Sequence, residues 1–406
     1  MFIVKTVEET KQLIKTHCRD YPLKTTVLKT DEALGAIASK AVKASIDVPH
    51  FNRSTVDGYA IIHSVAPHAS PSTPLALKVV GAVEMGKGCP YTLDTKTAVY
   101  VPTGAAVPEN ATAVVMVENT DTLGDEVLIN KKAAKWENIL QRGTDMKALE
   151  TVVEKNTRIT PAAIGALQAV GVAELEVYQK LRALVLSTGD EVTDRYPPSV
   201  GEVLDINTHT LRGYLEEHGV EVVETKVIRD DFEAYREALR DGMKSYDIVF
   251  ASGGSSVGEK DYTFQILENL DAEIFVHGVH IKPGKPTILA KLQGRLFVGL
   301  PGQPTSAFMV LNTLFPTIRQ AIHQTGEIEA IPYLEGVMTH NVSSAQGRTT
   351  YQLVTLSYGT PVKVTPLFAK SGMIHALSRA YGYIIIPDGE EGLVQGDPVK
   401  VYRLGD

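Results

Sequence analysis

Two periods of apolar residues divide this chain, one of three to four residues and one of two. Thr6 and Glu9 have the spacing of a capping box, and Val7, Leu13 and Ile14 behind them predict a helix to about His17. Asp31 can cap the segment EALGAIASKAV, in which Leu34, Ile37, Ala38 and Ala41 share a face, so a second helix is expected there. Thr160 followed by Pro161 opens PAAIGALQAV, and Gly171 can end it.

Elsewhere the pattern is that of strands. LALKVVGAV, TAVYVP, TAVVMVENT and DEVLINK are short β-type runs separated by Gly, Pro and Asp, which predicts a small β domain from about residue 48 to about 143. Strands and helices then alternate. LRALVLST precedes a helix with Leu211, Tyr214 and Leu215, and VEVVETKVI precedes one with Phe232, Tyr235 and Leu239. The run at Ile248, Val249 and Phe250 is followed by a helix around Ile266 and Leu267, then by RLFVGL. Such alternation implies a mostly parallel sheet, in which ligands bind beyond the carboxyl ends of the strands. The turns at Gly189, Gly253 and Pro301 would lie along that edge. Beyond Pro332 helix signals almost vanish, and EGVMTHNV, TYQLVTLSY, VKVTPLF, YGYIIIP and PVKVYRL predict a second β domain.

The 406 residues exceed what one core usually serves, and 44% hydrophobic with 22% charged residues is an ordinary globular composition. A formal charge of -8 disfavours nucleic acid and anionic membrane, so any anion must be held by a local cluster. Cys18 and Cys89 are too few for a disulfide framework or a cysteine zinc site and match a reducing compartment, the cytoplasm. The N-terminal stretch carries Glu8 and Glu9 and has no long apolar run, so neither a signal peptide nor a membrane span is expected.

Candidate chemistry concentrates at residues 247–261, DIVFASGGSSVGEKD, where an apolar run meets a glycine-rich turn and two carboxylates. Gly253 and Gly254 allow backbone N–H groups to converge on a phosphate, while Glu259 and Asp261 can hold a divalent cation against it. A nucleotide P-loop is set aside, because Glu259, Lys260 and Asp261 follow Gly258 instead of Lys and a hydroxyl residue. Acids also end other strands, at Glu191, Asp230 and Asp231, where each by itself can simply favour a helix start. In HIKPGKP, Lys282 and Lys285 read either as a solvated pair or as an oxyanion site, for which the prolines and glycine that stiffen the loop would be needed. LPGQPTSAF adds a rigid turn, and Arg348, Lys370 and Ser371 add donors. Asp57, in the exposed loop VPHFNRSTVDGY, reads on residues alone first as an Asx-turn residue before its glycine and second as a ligand that the loop presents. No Ser, His and Asp triad assembles, and the eleven histidines show no metal-ligand spacing.

Seven stretches together, STVDGYA (54–60), PTGAAVP (102–108), QRGTD (141–145), LSTGDE (186–191), SGGSSVGEKDY (252–262), IKPGKP (281–286) and GLPGQPTSA (299–307), resemble the MoeA family, related to the gephyrin E domain. The resemblance implies a multi-domain α/β plus β chain, elongated and dimeric. A MoaB/MogA-like α/β domain (residues 1–22 and 177–328) would bind the molybdopterin nucleotide. A linking domain (23–47 and 144–176), a β-rich domain (48–143) and a C-terminal β-barrel-like domain (329–406) would accompany it. The implied activity is insertion of molybdate into adenylylated molybdopterin, with magnesium-dependent release of AMP and no protein nucleophile. By motif position the family's acids fall on Asp57, Asp145, Glu191 and Asp261, of which Glu191 and Asp261 would hold Mg2+, and on one of Asp230 and Asp231. Thr103, Gly253, Gly254, Ser255, Gly258, Pro301 and Pro304 match substrate-binding positions, and Lys282, Lys285, Arg348 and Ser371 fall where molybdate is bound. Two departures are Gly278, where some members carry a basic residue, and Lys370, where glycine is more usual. A gephyrin-like scaffold and a tungstate-inserting equivalent are the alternatives, and the complete set of acids and lysines argues against the scaffold.

Overall fold

A computed structural model describes residues 4–253, 262–326, 332–344 and 347–405. Among them are seven α-helices: α1 (Val7–Cys18), α2 (Pro161–Ala169), α3 (Asn207–Glu217), α4 (Phe232–Ser245), α5 (Tyr262–Asn269), α6 (Pro304–His323) and α7 (Ile374–Arg379). The capping box forms as its spacing predicts: Glu9 N donates to Thr6 Oγ1 at 3.1 Å and Thr6 N donates to Glu9 Oε2 at 2.8 Å.

The central sheet has six strands in the order 221–228, 182–188, 248–252, 295–300, 288–292 and 273–277, the first four parallel and 288–292 antiparallel to both of its neighbours. Its inner strands are buried on both faces because alternate side chains serve two cores, while the edge strand 221–228 is largely exposed. Ala183, Val185, Ile248, Phe250, Leu296 and Val298 pack with α1, α3 and α6, whereas Leu184, Leu186, Val249, Ala251 and Phe297 pack with α4 and α5. The parallel register aligns the carboxyl ends, since Thr188 pairs with Ile228, Ser187 with Ser252, and Ser252 with Leu300. Gly189, Asp230, Gly253 and Pro301, which follow these ends closely, are therefore delivered to one edge.

A second six-stranded sheet is built from residues 58–129. A third closes on itself: strands 349–357, 363–366, 333–338, 398–403 and 382–386 pair in sequence and the last pairs back with the first, leaving no free edge within the ring. A sixth short strand, Ile281–Lys282, runs parallel to Thr349–Thr350 and joins the central unit to this barrel.

The helix expected over EALGAIASKAV is replaced by one 3-10 turn, Thr30–Glu32. Gly35 takes φ +77, and its backbone N–H donates to Ile159 O at 2.9 Å. Ala38 N donates to Thr157 O and Ser39 N to Glu176 O. Ala33 and Ala38 are fully buried by these cross-connections, so long-range pairing overrides local helix propensity. A short helix, α7, also interrupts the C-terminal strands.

On α6, His323 is buried and its Nδ1 lies 3.0 Å from Arg319 O. Burial, aided by the charge of Arg319, holds the imidazole below its ordinary value of 6.5. A neutral histidine in the native state contributes fully above the unfolded pKa and loses its contribution as pH falls below about 6.5, because the unfolded chain then binds the proton. The melting temperature should drop between pH 7.5 and 5.5, and His323→Gln should flatten that drop; His218, lowered likewise by burial, would account for the remainder.

Candidate active site

A cavity of about 1140 Å³ lies between the carboxyl edge of the central sheet, the loop 280–286, the start of α6 and the C-terminal barrel. Each wall has a local cause. Gly253 takes φ +94 against Thr188, where a Cβ would stand 2.5 Å from the Thr188 carbonyl oxygen, and Gly302 packs on Gly253 in turn. Gly284, at φ +125, lets the loop lie on α6, since a Cβ there would fall 2.2 Å from Val310 Cγ2.

Three carboxylates line the cavity, Glu191, Asp205 and Asp230; Asp205 accepts from Thr208 N at 3.2 Å and from the Thr208 hydroxyl at the start of α3. Glu191 folds back over its own turn, close enough that a Cβ on Gly189 would lie 2.7 Å from its Oε2. Asp231 does something else: its carboxylate accepts from Ala234 N at 2.7 Å and caps α4, leaving Asp230 as the acid of that pair in the cavity wall. The hydroxyls of Thr188 and Thr305, both buried in this wall, have no hydrogen-bond partner among the described residues. Buried orphan hydroxyls are costly, so a polar ligand or water is their natural complement.

Lys282, Lys285, Arg348 and Lys370 line the same cavity, and none of the four forms an ion pair among the described residues. Strand pairing explains how two of them meet, because the register sets Ile281 against Thr349 and Lys282 against Thr350, while Thr349 N donates to His280 O at 3.1 Å. Ser371 is tied to the start of α6: Thr305 N donates to its carbonyl at 3.1 Å, and its hydroxyl donates to Gln303 Oε1. Tyr351 also lines the cavity, with burial raising its hydroxyl pKa so that it stays protonated.

Pro301 and Pro304 line the cavity with Gly253. Gly254, Ser255, Gly258 and Asp261 lie outside the described residues. Asp57, Thr103 and Asp145 are exposed and do not line this cavity. Asp57 and Thr103 meet each other instead, the Thr103 backbone N–H donating to Asp57 Oδ1 at 2.8 Å.

Sequence reasoning missed Asn207. Its buried Nδ2 donates to Ser252 Oγ at 2.5 Å and to Gly302 O at 2.8 Å, tying together three turns of the sheet edge. The only signal was a polar residue at a helix start facing that edge.

A model of the MoeA N-terminal region (domain I and II) matches residues 5–171, one of a probable molybdopterin binding domain matches 184–320, and one of the MoeA C-terminal region (domain IV) matches 335–404. The molybdopterin molybdenumtransferase of Staphylococcus aureus (strain COL) is 30% identical over 400 residues, covering 97% of this chain and 94% of that protein. The chain belongs to the MoeA family. The Haemophilus influenzae protein of the same name is 31% identical over 334 residues, covering 82% of this chain and 81% of its own. The crystal structure of a molybdopterin biosynthesis MoeA protein from Pyrococcus horikosii superposes with a TM-score of 0.84 at 31% identity, covering 99% of each chain. As in that MoeA structure, the fold is multi-domain, α/β and β. Among the described residues no helix is long and apolar enough to cross a membrane.

In this MoeA-family chain Asn207→Ala should cost about 1–3 kcal/mol, the penalty for stranding buried hydrogen-bonding groups. Thermal unfolding checks this; a melting temperature equal to the parent's would show that the three turns hold without the amide.

Proposed function

We propose that the chain is a molybdopterin molybdenumtransferase, inserting molybdate into adenylylated molybdopterin and releasing AMP. The observation that carries this reading is a single cavity with carboxylates at a sheet edge and four cations without ion-pair partners among the described residues. A tetrahedral dianion suits two lysines, an arginine and a hydroxyl, which offer both charge and hydrogen bonds: Lys282, Lys285, Arg348 and Ser371. Ser371 would turn its hydroxyl from Gln303 to the oxyanion. The nucleotide would lie along the turns at Gly253 and Pro301, with backbone N–H groups toward its phosphates.

The donor set suits a divalent cation in kind, since Glu191 and Asp230 line the same cavity as the orphan hydroxyl of Thr188, and magnesium is commonly held by one or two carboxylates plus substrate phosphates. Glu191, together with Asp261 by its motif position, would hold it with Asp230 on the same wall, and the ion would supply charge neutralisation at the adenylyl anhydride. Cleavage adds water across the P–O–P bond: the water oxygen joins one phosphorus and the bridging oxygen stays on the other, so AMP leaves with its own phosphate, the pterin keeps the second, and the released protons pass to solvent. Protein groups bind, orient and screen; no covalent enzyme intermediate is needed.

Asp57, Thr103 and Asp145 would serve a site completed by a second copy, in a homodimer of four-domain subunits with the boundaries expected from sequence. Their exposure, away from the cavity of their own chain, supports this arrangement. Pairing two inactive subunits tests it. Asp57→Ala mixed and reassembled with Glu191→Ala should recover about a quarter of parental activity, because half the dimers would be mixed and each would carry one intact site. No recovery, from subunits shown to exchange, contradicts a shared site.

The direct test incubates the protein with adenylylated molybdopterin, magnesium and either molybdate or tungstate, following AMP and cofactor; the two arms also decide which oxyanion is preferred. Lys285→Ala should raise the molybdate concentration for half-maximal AMP release about ten- to a hundredfold, with nucleotide affinity little changed. If the nucleotide affinity collapses and the molybdate dependence does not move, the lysine serves the other ligand.

A further inference from the structure

We infer that Lys370 is an additional oxyanion-binding residue, a fourth cation that reads the double negative charge of the substrate. The inference rests on the oxyanion reading above and deepens it.

Lys370 lines the cavity with Lys282, Lys285 and Arg348, yet it belongs to a different segment from all three. Six lysines of this acidic chain have a carboxylate within 4.0 Å among the described residues, as Lys87 has Glu84 at 2.6 Å and Lys226 has Glu224 at 3.0 Å. Lys370 has none within 4.0 Å among the described residues. Four like charges at one cavity repel one another, and an entering dianion relieves that repulsion while gaining attraction from each.

The backbone that carries Lys370 is held in place. Met373 N donates to Lys370 O at 2.9 Å, Thr305 N donates to Ser371 O at 3.1 Å, and the Ser371 hydroxyl donates to Gln303. The turn is thereby docked on the first residues of α6, so ordering the contact costs only the freedom of one side chain. Lys370 is exposed, which makes its charge a screened one and its contribution modest and salt-dependent. A lysine presents a compact point charge without the planar fork of arginine, so it selects for charge more than for the shape of the anion.

Equilibrium dialysis of molybdate against the full chain tests this, with Lys370→Ala, Lys370→Arg and the parent compared at low and high sodium chloride, and thermal unfolding run in parallel. Lys370→Ala should bind molybdate about fivefold more weakly at low salt, with the gap closing as salt rises, while Lys370→Arg stays near the parent. Binding of the pterin nucleotide should be unchanged in both variants. A parent that binds molybdate while Lys370→Ala binds it equally well at low salt overturns the inference alone. A parent that binds no molybdate overturns the oxyanion reading and this inference with it.

Discussion

The short parallel pairing of Ile281–Lys282 with Thr349–Thr350 is the constraint on which the site depends. Without it the central sheet and the closed barrel would each present half of the cavity wall. The pairing places Lys282 beside the strand preceded by Arg348, and the second clasp, Ser371 on the start of α6, closes the other side. Backbone hydrogen bonds hold both junctions, so the cations are positioned by main chain and not by their own side chains. Gly284 has its place here: only a residue without Cβ lets the loop reach the barrel while lying on Val310.

Charge is divided by origin. The carboxylates come from the turns that end the parallel strands, whereas the cations come from the 280–286 loop and the barrel. That division suits the proposed reaction, in which a phosphoanhydride and an oxyanion would sit side by side, each a strong anion that would repel the other in a uniform field. The orphan hydroxyls of Thr188 and Thr305 fall on the wall of the same space. Asn207 then fixes the relative height of the turns at Ser252 and Gly302, which a ligand spanning both would require.

Much of this was legible in the residues, because its causes are local. The capping box at Thr6 and Glu9, the two-faced strands at 182–188 and 248–252, and the turns at Gly189, Gly253 and Pro301 follow from period, capping and strand order. What was not legible rests on partners far along the chain. Residues 32–42 carry a helical pattern but give their hydrogen bonds to residues 157–159 and 176. Asn207 and Gln303 look like ordinary helix-start residues until the turns they bind are in place. Asp231 was undecided against Asp230 because a cap and a cavity acid look alike in sequence, and only the Ala234 hydrogen bond separates them.

The central claim is that one cavity, between sheet edge and barrel, holds the oxyanion. Anomalous diffraction at the molybdenum edge, from crystals soaked in molybdate at concentrations that saturate binding in solution, measures this directly. The account predicts a peak within reach of Lys282, Lys285 and Arg348. A peak at full occupancy elsewhere, with none in this cavity, would contradict it.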